Sequence, residues 1–265
     1  MKYNDLGQSG IKVSELCLGT MTWGSQNSQS DANRQIEIAI DHGINFLDTA
    51  EMYPTTPISS KTQGDTERII GQWLQETKRR PEIILATKIT GKGFKAIRNG
   101  EPISVSNLRP ALEGSLKRLK TDYIDLYQLH WPERKVPKFG VLDFEYDPHD
   151  NSWTAIEEVL ENLDRLVKAG KIRHVGLSNE TPWGVMKFLE ISKEKNLPRM
   201  MSVQNVYNLV NRVFDVANSE VSIREKCGLL AYSPLAGGRL TGKYIGNKKP
   251  KNARYTIWPR RFNRH

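Results

Sequence analysis

Cysteine is scarce. There are two in 265 residues, Cys17 and Cys227, and no CxxC pair. That argues against a disulfide framework and fits a reducing cytoplasm, where the protein is expected to reside. Long apolar runs are missing as well. No stretch approaches the ~18 residues of a membrane span, and MKYNDLGQSG at the start lacks the apolar core of a signal peptide. A membrane partner is therefore not expected. Low-complexity linkers and breaks in composition are also lacking, so residues 1–265 read as one domain.

Acidic residues are missing from one place in particular. Between Lys243 and His265 there are eight Lys or Arg and no Asp or Glu. The net charge is +9, so 9 − 8 leaves +1 for the first 242 residues. Basicity confined to a tail does not describe a nucleic-acid surface. The tail is either solvated or turned toward phosphates. The 38% of hydrophobic residues suffices for a sizeable core, and the mean hydropathy of −0.56 indicates a very polar surface.

What is present is alternation. Lys2–Leu6 and Ile11–Leu18 read as a hairpin turned at Gln8-Ser9-Gly10. Apolar runs then recur at 16–20, 45–48, 83–88, 123–130, 174–178, 201–204 and 229–232. Amphipathic stretches separate them: Asp31 to Gly43, Thr66–Thr77, Asn107–Leu119, a helix begun by a Thr154/Glu157 capping box and closed by Gly170, Thr181 to Asn196, and Val213–Lys226. The pattern predicts a parallel sheet with helices outside it. A doubly wound sheet and a (β/α)8 barrel both satisfy that pattern.

The polar residues favour the barrel. Each apolar run ends in a group that chemistry can use: Thr20, Asp48, Lys88, His130, Ser178 with Asn179, Gln204 with Asn205, and Tyr232. One such residue is unremarkable, since a lone histidine at a strand end is usually a hydrogen-bonded structural residue. Seven in succession point to one rim, and a barrel gathers its strand ends at a single mouth.

The organising stretch is Leu47-Asp48-Thr49-Ala50-Glu51-Met52-Tyr53. Lys88 ends an apolar strand and needs a counter-charge, which Asp48 can supply. A lysine cation beside Tyr53 makes the phenol a better proton donor. His130 can hydrogen-bond the same substrate oxygen and orient it. Together these groups polarise a carbonyl for hydride attack, and the hydride has to come from a cofactor. Ser178, Asn179 and Gln204 suit a carboxamide, and Tyr232 offers a flat face to a nicotinamide ring. Trp23, Tyr53, Trp131 and Phe139 are candidates for a pocket wall. The segment 131–152 is too long for a plain connection and reads as a functional loop.

DTAEMY, ATK, LYQLHWP, VGLSNE, VQNVYN and AYSPLAGGRLTGKY resemble the aldo-keto reductases, in order and spacing, over nearly the whole chain. Within that family the resemblance is to the branch of the bacterial Tas-type proteins and the potassium-channel β subunits. It implies a TIM barrel, NADP(H) as cofactor and a small carbonyl substrate, with no metal. It places the catalytic set on Asp48, Tyr53, Lys88 and His130. The carboxamide contacts fall on Ser178, Asn179 and Gln204, and the stacking ring on Tyr232. Thr20, Met21 and Asp48 lie near the nicotinamide. The pyrophosphate segment falls on Ser233, Pro234, Leu235 and Gly237, with Lys243 and Arg254 as phosphate partners.

One departure stands out. The family continues with an eighth strand–helix unit of roughly 30 residues or more, and this sequence ends after the seventh. The expectation is a barrel lacking that unit, with exposed strand edges, lower stability and weak NADPH binding. Micromolar binding in a fluorescence titration counts against that last point. Three other readings remain: a cofactor-binding interaction protein, an inactive remnant of a reductase, and a Schiff-base aldolase using Lys88. The aldolase leaves Tyr232, Gln204 and the GLSN run without a purpose.

Overall fold

The N-terminal hairpin forms from β1 (Tyr3–Asp5) and β2 (Lys12–Ser14), antiparallel with Asn4 opposite Val13. The computed structural model describes residues 1–139 and 141–259. Its other seven strands build one parallel sheet. They are β3 (Cys17–Gly19), β4 (Phe46–Asp48), β5 (Ile84–Ile89), β6 (Ile124–Leu129), β7 (Ile172–Ser178), β8 (Met200–Val206) and β9 (Gly228–Tyr232). Their order in the sheet is their order in the chain. Six helices alternate with them: α1 (Gln29–Asp41), α2 (Asp65–Thr77), α3 (Val105–Leu119), α4 (Ile156–Lys168), α5 (Pro182–Lys195) and α6 (Val213–Arg224). None of the described helices is long and apolar enough to cross a membrane.

Side-chain contacts show that the sheet curls. Were it flat, β4 and β8 would stand about 19 Å apart, at ~4.8 Å per strand. Instead Gln204 on β8 donates to Asp48 on β4 at 3.0 Å. This is a (β/α)8 architecture carried through seven units. β3 and β9 are the two edges of the sheet, and among the described residues no further strand pairs with either. The hairpin packs against one end of the sheet: Leu6 and Val13 cluster with Phe46, Ala86 and Leu126. The larger core lies between sheet and helices, where Ile36, Ile70, Trp73, Leu112, Leu160 and Leu189 meet the opposite side chains of the strands.

The local signals explain most helix ends. Ser28 caps α1, and Asp31, three residues on, returns a bond to the Ser28 backbone, so the box starts three residues before the expected cap. Thr181 caps α5 by accepting from Gly184 N, with Pro182 in the first turn. The box expected at Thr154 and Glu157 does not form. α4 begins at Ile156 with Ala155 as a cap that makes no side-chain bond. The cap falls one residue after Thr154, so Glu157 lies two positions past it and cannot close the box.

Gly71 shows why one residue type is required in the middle of α2. A Cβ there would lie 2.8 Å from the Leu119 carbonyl carbon and closer still to the Arg118 carbonyl oxygen. Helix propensity alone favours alanine at such a position. Packing reverses the sign, so Gly71→Ala is expected to destabilise by about 1–3 kcal/mol in urea unfolding. A stabilised Gly71→Ala protein would show that α2 and α3 stand further apart.

Candidate active site

The polar strand ends meet at one rim. Asp48 is the last residue of β4, and Lys88 is the penultimate residue of β5. The Lys88 side chain has no solvent exposure. Its ammonium donates to Asp48 Oδ2 at 2.6 Å and to the Thr49 carbonyl at 2.7 Å. Burial pulls the Lys88 ammonium toward the neutral form. The Asp48 carboxylate, Tyr53 and the hydrogen bond outweigh that, and the net shift is upward from the ordinary 10.5. Lys88 is therefore a fixed cation at neutral pH.

That cation sits 5.0 Å from the centroid of the Tyr53 ring. The loop after β4 brings Tyr53 there. Tyr53 N donates to the Ala50 carbonyl, and the Tyr53 carbonyl accepts from Gly64 N at 3.0 Å, just before α2. His130, immediately after β6, stands edge-on to Tyr53 with ring centroids 5.7 Å apart. The structure thus gathers Asp48, Tyr53, Lys88 and His130.

Thr20 follows β3 and donates from Oγ1 to the Asp48 carbonyl at 2.8 Å. Met21 packs against the apolar cluster of Ala50, Met52, Tyr53, Ile97 and Trp131, with Phe94 and Phe139. The Trp131 ring centroid lies 4.9 Å from that of His130 and 5.6 Å from that of Phe139, and Tyr53, Trp131 and Phe139 belong to one apolar cluster. Trp23 does not belong to it. That side chain is 1% exposed in the main core, and its indole donates to Gln35 at 3.0 Å.

On the other side, Ser178 Oγ donates to the Gln204 carbonyl at 2.9 Å. Asn179 donates to the His130 carbonyl and to Ser178 Oγ, both at 3.0 Å, and accepts from Tyr232 OH at 2.8 Å. It ties the ends of β6, β7 and β9 together, from a left-handed backbone at φ 54°. Asn205 points elsewhere, exchanging bonds with the Glu180 backbone.

Beyond Tyr232, the segment Ser233–Gly238 is dense in left-handed residues: Ser233, Ala236, Gly237 and Gly238 have φ of 55°, 49°, 64° and 102°. The basic segment folds back on it. Tyr255, in α7 (Arg254–Ile257), donates to the Ala236 carbonyl at 3.2 Å, and its amide is held by Tyr244 OH at 3.1 Å. The stem of Lys243 lies against Gly238, where a Cβ would come within 2.9 Å of it. Arg254 is half-buried, and burial lowers its pKa from the ordinary value. Arg260, Arg261 and Arg264 of the basic tail lie outside the described residues.

Two acids that support this rim were not singled out by the sequence, although one of them lies within DTAEMY. Glu51, 4% exposed, pairs with Arg98 and accepts from Thr90 N at 2.9 Å, fastening the 91–102 loop beside Tyr53. Glu67 is fully buried, accepting from Thr87 Oγ1 and Arg118 Nε at 2.6 Å each. Acids inside amphipathic helices and loops read as surface positions, and only the partners' placement reveals otherwise. The two cysteines are unpaired, and burial pushes the Cys227 thiol up to about 12.

Residues 15–259 match the Aldo/keto reductase family. The chain belongs to that family of oxidoreductases. It is 45% identical to Protein tas of Escherichia coli (strain K12), over the whole chain and 77% of that protein. It is 35% identical to the uncharacterized oxidoreductase YrpG of Bacillus subtilis (strain 168), over 92% of this chain and 70% of that one. A probable voltage-gated potassium channel subunit beta of Oryza sativa subsp. japonica is 28% identical, over 97% of this chain and 71% of the relative.

Proposed function

We propose that the protein reduces aldehydes or ketones to alcohols with NADPH, using Tyr53 as the proton donor. One observation carries this reading: a fully buried lysine ammonium, charge-paired to Asp48, is held 5.0 Å from the Tyr53 ring beside His130. A pure binding module has no need of a phenol beside a fixed cation.

The donor set fits a nicotinamide dinucleotide. Asp48 is a carboxylate and can only accept, so the bond from Gln204 Nε2 settles which way the Gln204 amide faces. Gln204 Oε1 is then the acceptor offered to a carboxamide N–H. Ser178 supplies a hydroxyl beside it, and Asn179 reaches the carboxamide by sharing amide hydrogens it now gives to its neighbours. Tyr232 presents its ring, Thr20 and Met21 close the opposite side, and the turn Ser233-Pro234-Leu235-Ala236-Gly237, left-handed at Ser233, Ala236 and Gly237, suits a pyrophosphate. Lys243 and Arg254 supply positive charge on the same side.

When bound, the cofactor supplies hydride. The chain does the rest. His130 hydrogen-bonds the carbonyl oxygen and sets its direction. Tyr53 gives its proton to that oxygen as negative charge builds there. The Lys88 ammonium stabilises the phenolate left behind, and Asp48 keeps Lys88 charged in a site that burial would otherwise neutralise. Trp131, Phe139 and Phe94 keep water away and favour an apolar or aromatic carbonyl compound. A panel of aromatic and aliphatic aldehydes with NADPH, followed by loss of absorbance at 340 nm, should show turnover, greatest with the aromatic members. Tight cofactor binding with no turnover on any carbonyl compound would instead favour a cofactor-sensing role.

A further inference from the structure

Gln128 has no part in the chemistry above, yet it lies in the middle of the polar cluster. It is on β6, opposite Lys88 in the sheet register, and has no solvent exposure. A primary amide is costly to bury unless it is held, and the residues before it on the same face, Ile124 and Leu126, are apolar. Its Nε2 donates to Asp48 Oδ1 at 3.0 Å. Gln204 Nε2 donates to the same oxygen at 3.0 Å and stands 3.5 Å from Gln128 Oε1. The other oxygen, Oδ2, takes the Lys88 ammonium.

We propose that Gln128 is a positioning residue: with Gln204 it fixes the plane of the Asp48 carboxylate, so that Oδ2 stays aimed at Lys88. The torsion that turns an aspartate carboxylate is soft, with a broad range of allowed angles. A single ion pair does not stop that rotation, because either oxygen serves the cation equally. Two amide donors on Oδ1 and one ammonium on Oδ2 make the oxygens inequivalent and pin the group. The placement follows from the strands: Asp48, Lys88, Gln128 and Gln204 come from β4, β5, β6 and β8, so the pin spans most of the curled sheet. Gln204 also faces the carboxamide site, so cofactor contact and the charge pair share one carboxylate. The kinetic consequence rests on the reading of Tyr53 and Lys88 given above, while the placement of the amide does not.

Two measurements test this. The first uses the cofactor-free protein. Side-chain amide signals in ¹⁵N–¹H spectra are assigned with Q128M and Q204M. The Gln128 amide protons should exchange with water at least about tenfold more slowly than those of exposed glutamines, and D48A should remove that protection. Exchange as fast as at exposed positions, or indifference to D48A, overturns the proposal. The second is kinetic. Q128M should lower kcat about ten- to hundredfold, with NADPH affinity by fluorescence unchanged and a folded circular dichroism spectrum. In Q128E the introduced carboxyl can donate to Asp48 only when protonated, and burial beside another carboxylate favours that form. Its activity relative to the unmodified protein should therefore recover as pH falls from about 8 to about 6, while Q128M shows no recovery. Wild-type turnover in Q128M overturns the proposal. Absence of turnover in the unmodified protein overturns the reductase reading instead, and the exchange measurement then decides the place of Gln128 by itself.

Discussion

Tyr53→Phe is expected to lower kcat for an aldehyde by about 10²–10⁴-fold, the range that a positioned proton donor contributes. The substitution removes one oxygen from a side chain that is 9% exposed and packed among Ala50, Met52 and Trp131. The ring, and with it the shape of the wall, stays. NADPH affinity should stay within about threefold, because a group acting only in the transition state does not hold the ground state. Single-turnover kinetics with saturating cofactor separate the two quantities. Turnover within twofold of the unmodified protein, a margin of about 0.4 kcal/mol, would remove Tyr53 from the acid role and leave His130 as the remaining candidate.

The second large effect is on stability. Asp48→Ala leaves the Lys88 ammonium buried with the Thr49 carbonyl, 2.7 Å away, as the acceptor that remains of its two. Breaking a buried pair in this way costs about 3–5 kcal/mol, measured by urea unfolding at neutral pH. Adding Lys88→Met should return about 2 kcal/mol or more of that loss, because an apolar side chain of similar length needs no counter-charge. A double variant no more stable than Asp48→Ala would show that the loss comes from packing or from the released Gln128 and Gln204 amides, and not from an orphaned charge. The pH dependence has a definite sign. The folded-state pKa of Lys88 is raised above 10.5. Its stabilising contribution is therefore fully present below 10.5 and is lost as the pH climbs through the higher folded-state value. The unmodified protein should show this extra alkaline loss, and the Lys88→Met protein should lack it.

Most of the architecture was legible from alternation and punctuation. The strand at 45–48 ends in Asp48 because the apolar run gives out there, and Gly43 before it takes the left-handed position, φ 79°, that ends α1. Thr181-Pro182 marks the start of α5 for a mechanical reason: a hydroxyl satisfies an orphan N–H, and proline has none to satisfy. The Thr154/Glu157 signal misled because a capping box needs its two residues in register with the first turn, and α4 takes Ala155, one residue later, as its cap. Trp23 misled in another way. An aromatic residue just past a strand end can face the mouth or turn beneath a helix. Thr66 decided it by donating to the Trp23 carbonyl at 2.7 Å, and Gln35 took the indole N–H.

By itself the sequence determined which residues stand at the strand ends, because apolar periodicity is a local property and each run stops at a polar group. It likewise determined that Lys88 needs an anion, since desolvation of an ammonium is unfavourable wherever it occurs. Only the tertiary structure decided which carboxylate answers and what else holds that carboxylate. Asp48 is reached by Lys88, Gln128 and Gln204 from 40, 80 and 156 positions away. The physical reason is the curl of the sheet: it brings β8 back to β4, and no periodicity within a single strand encodes that closure.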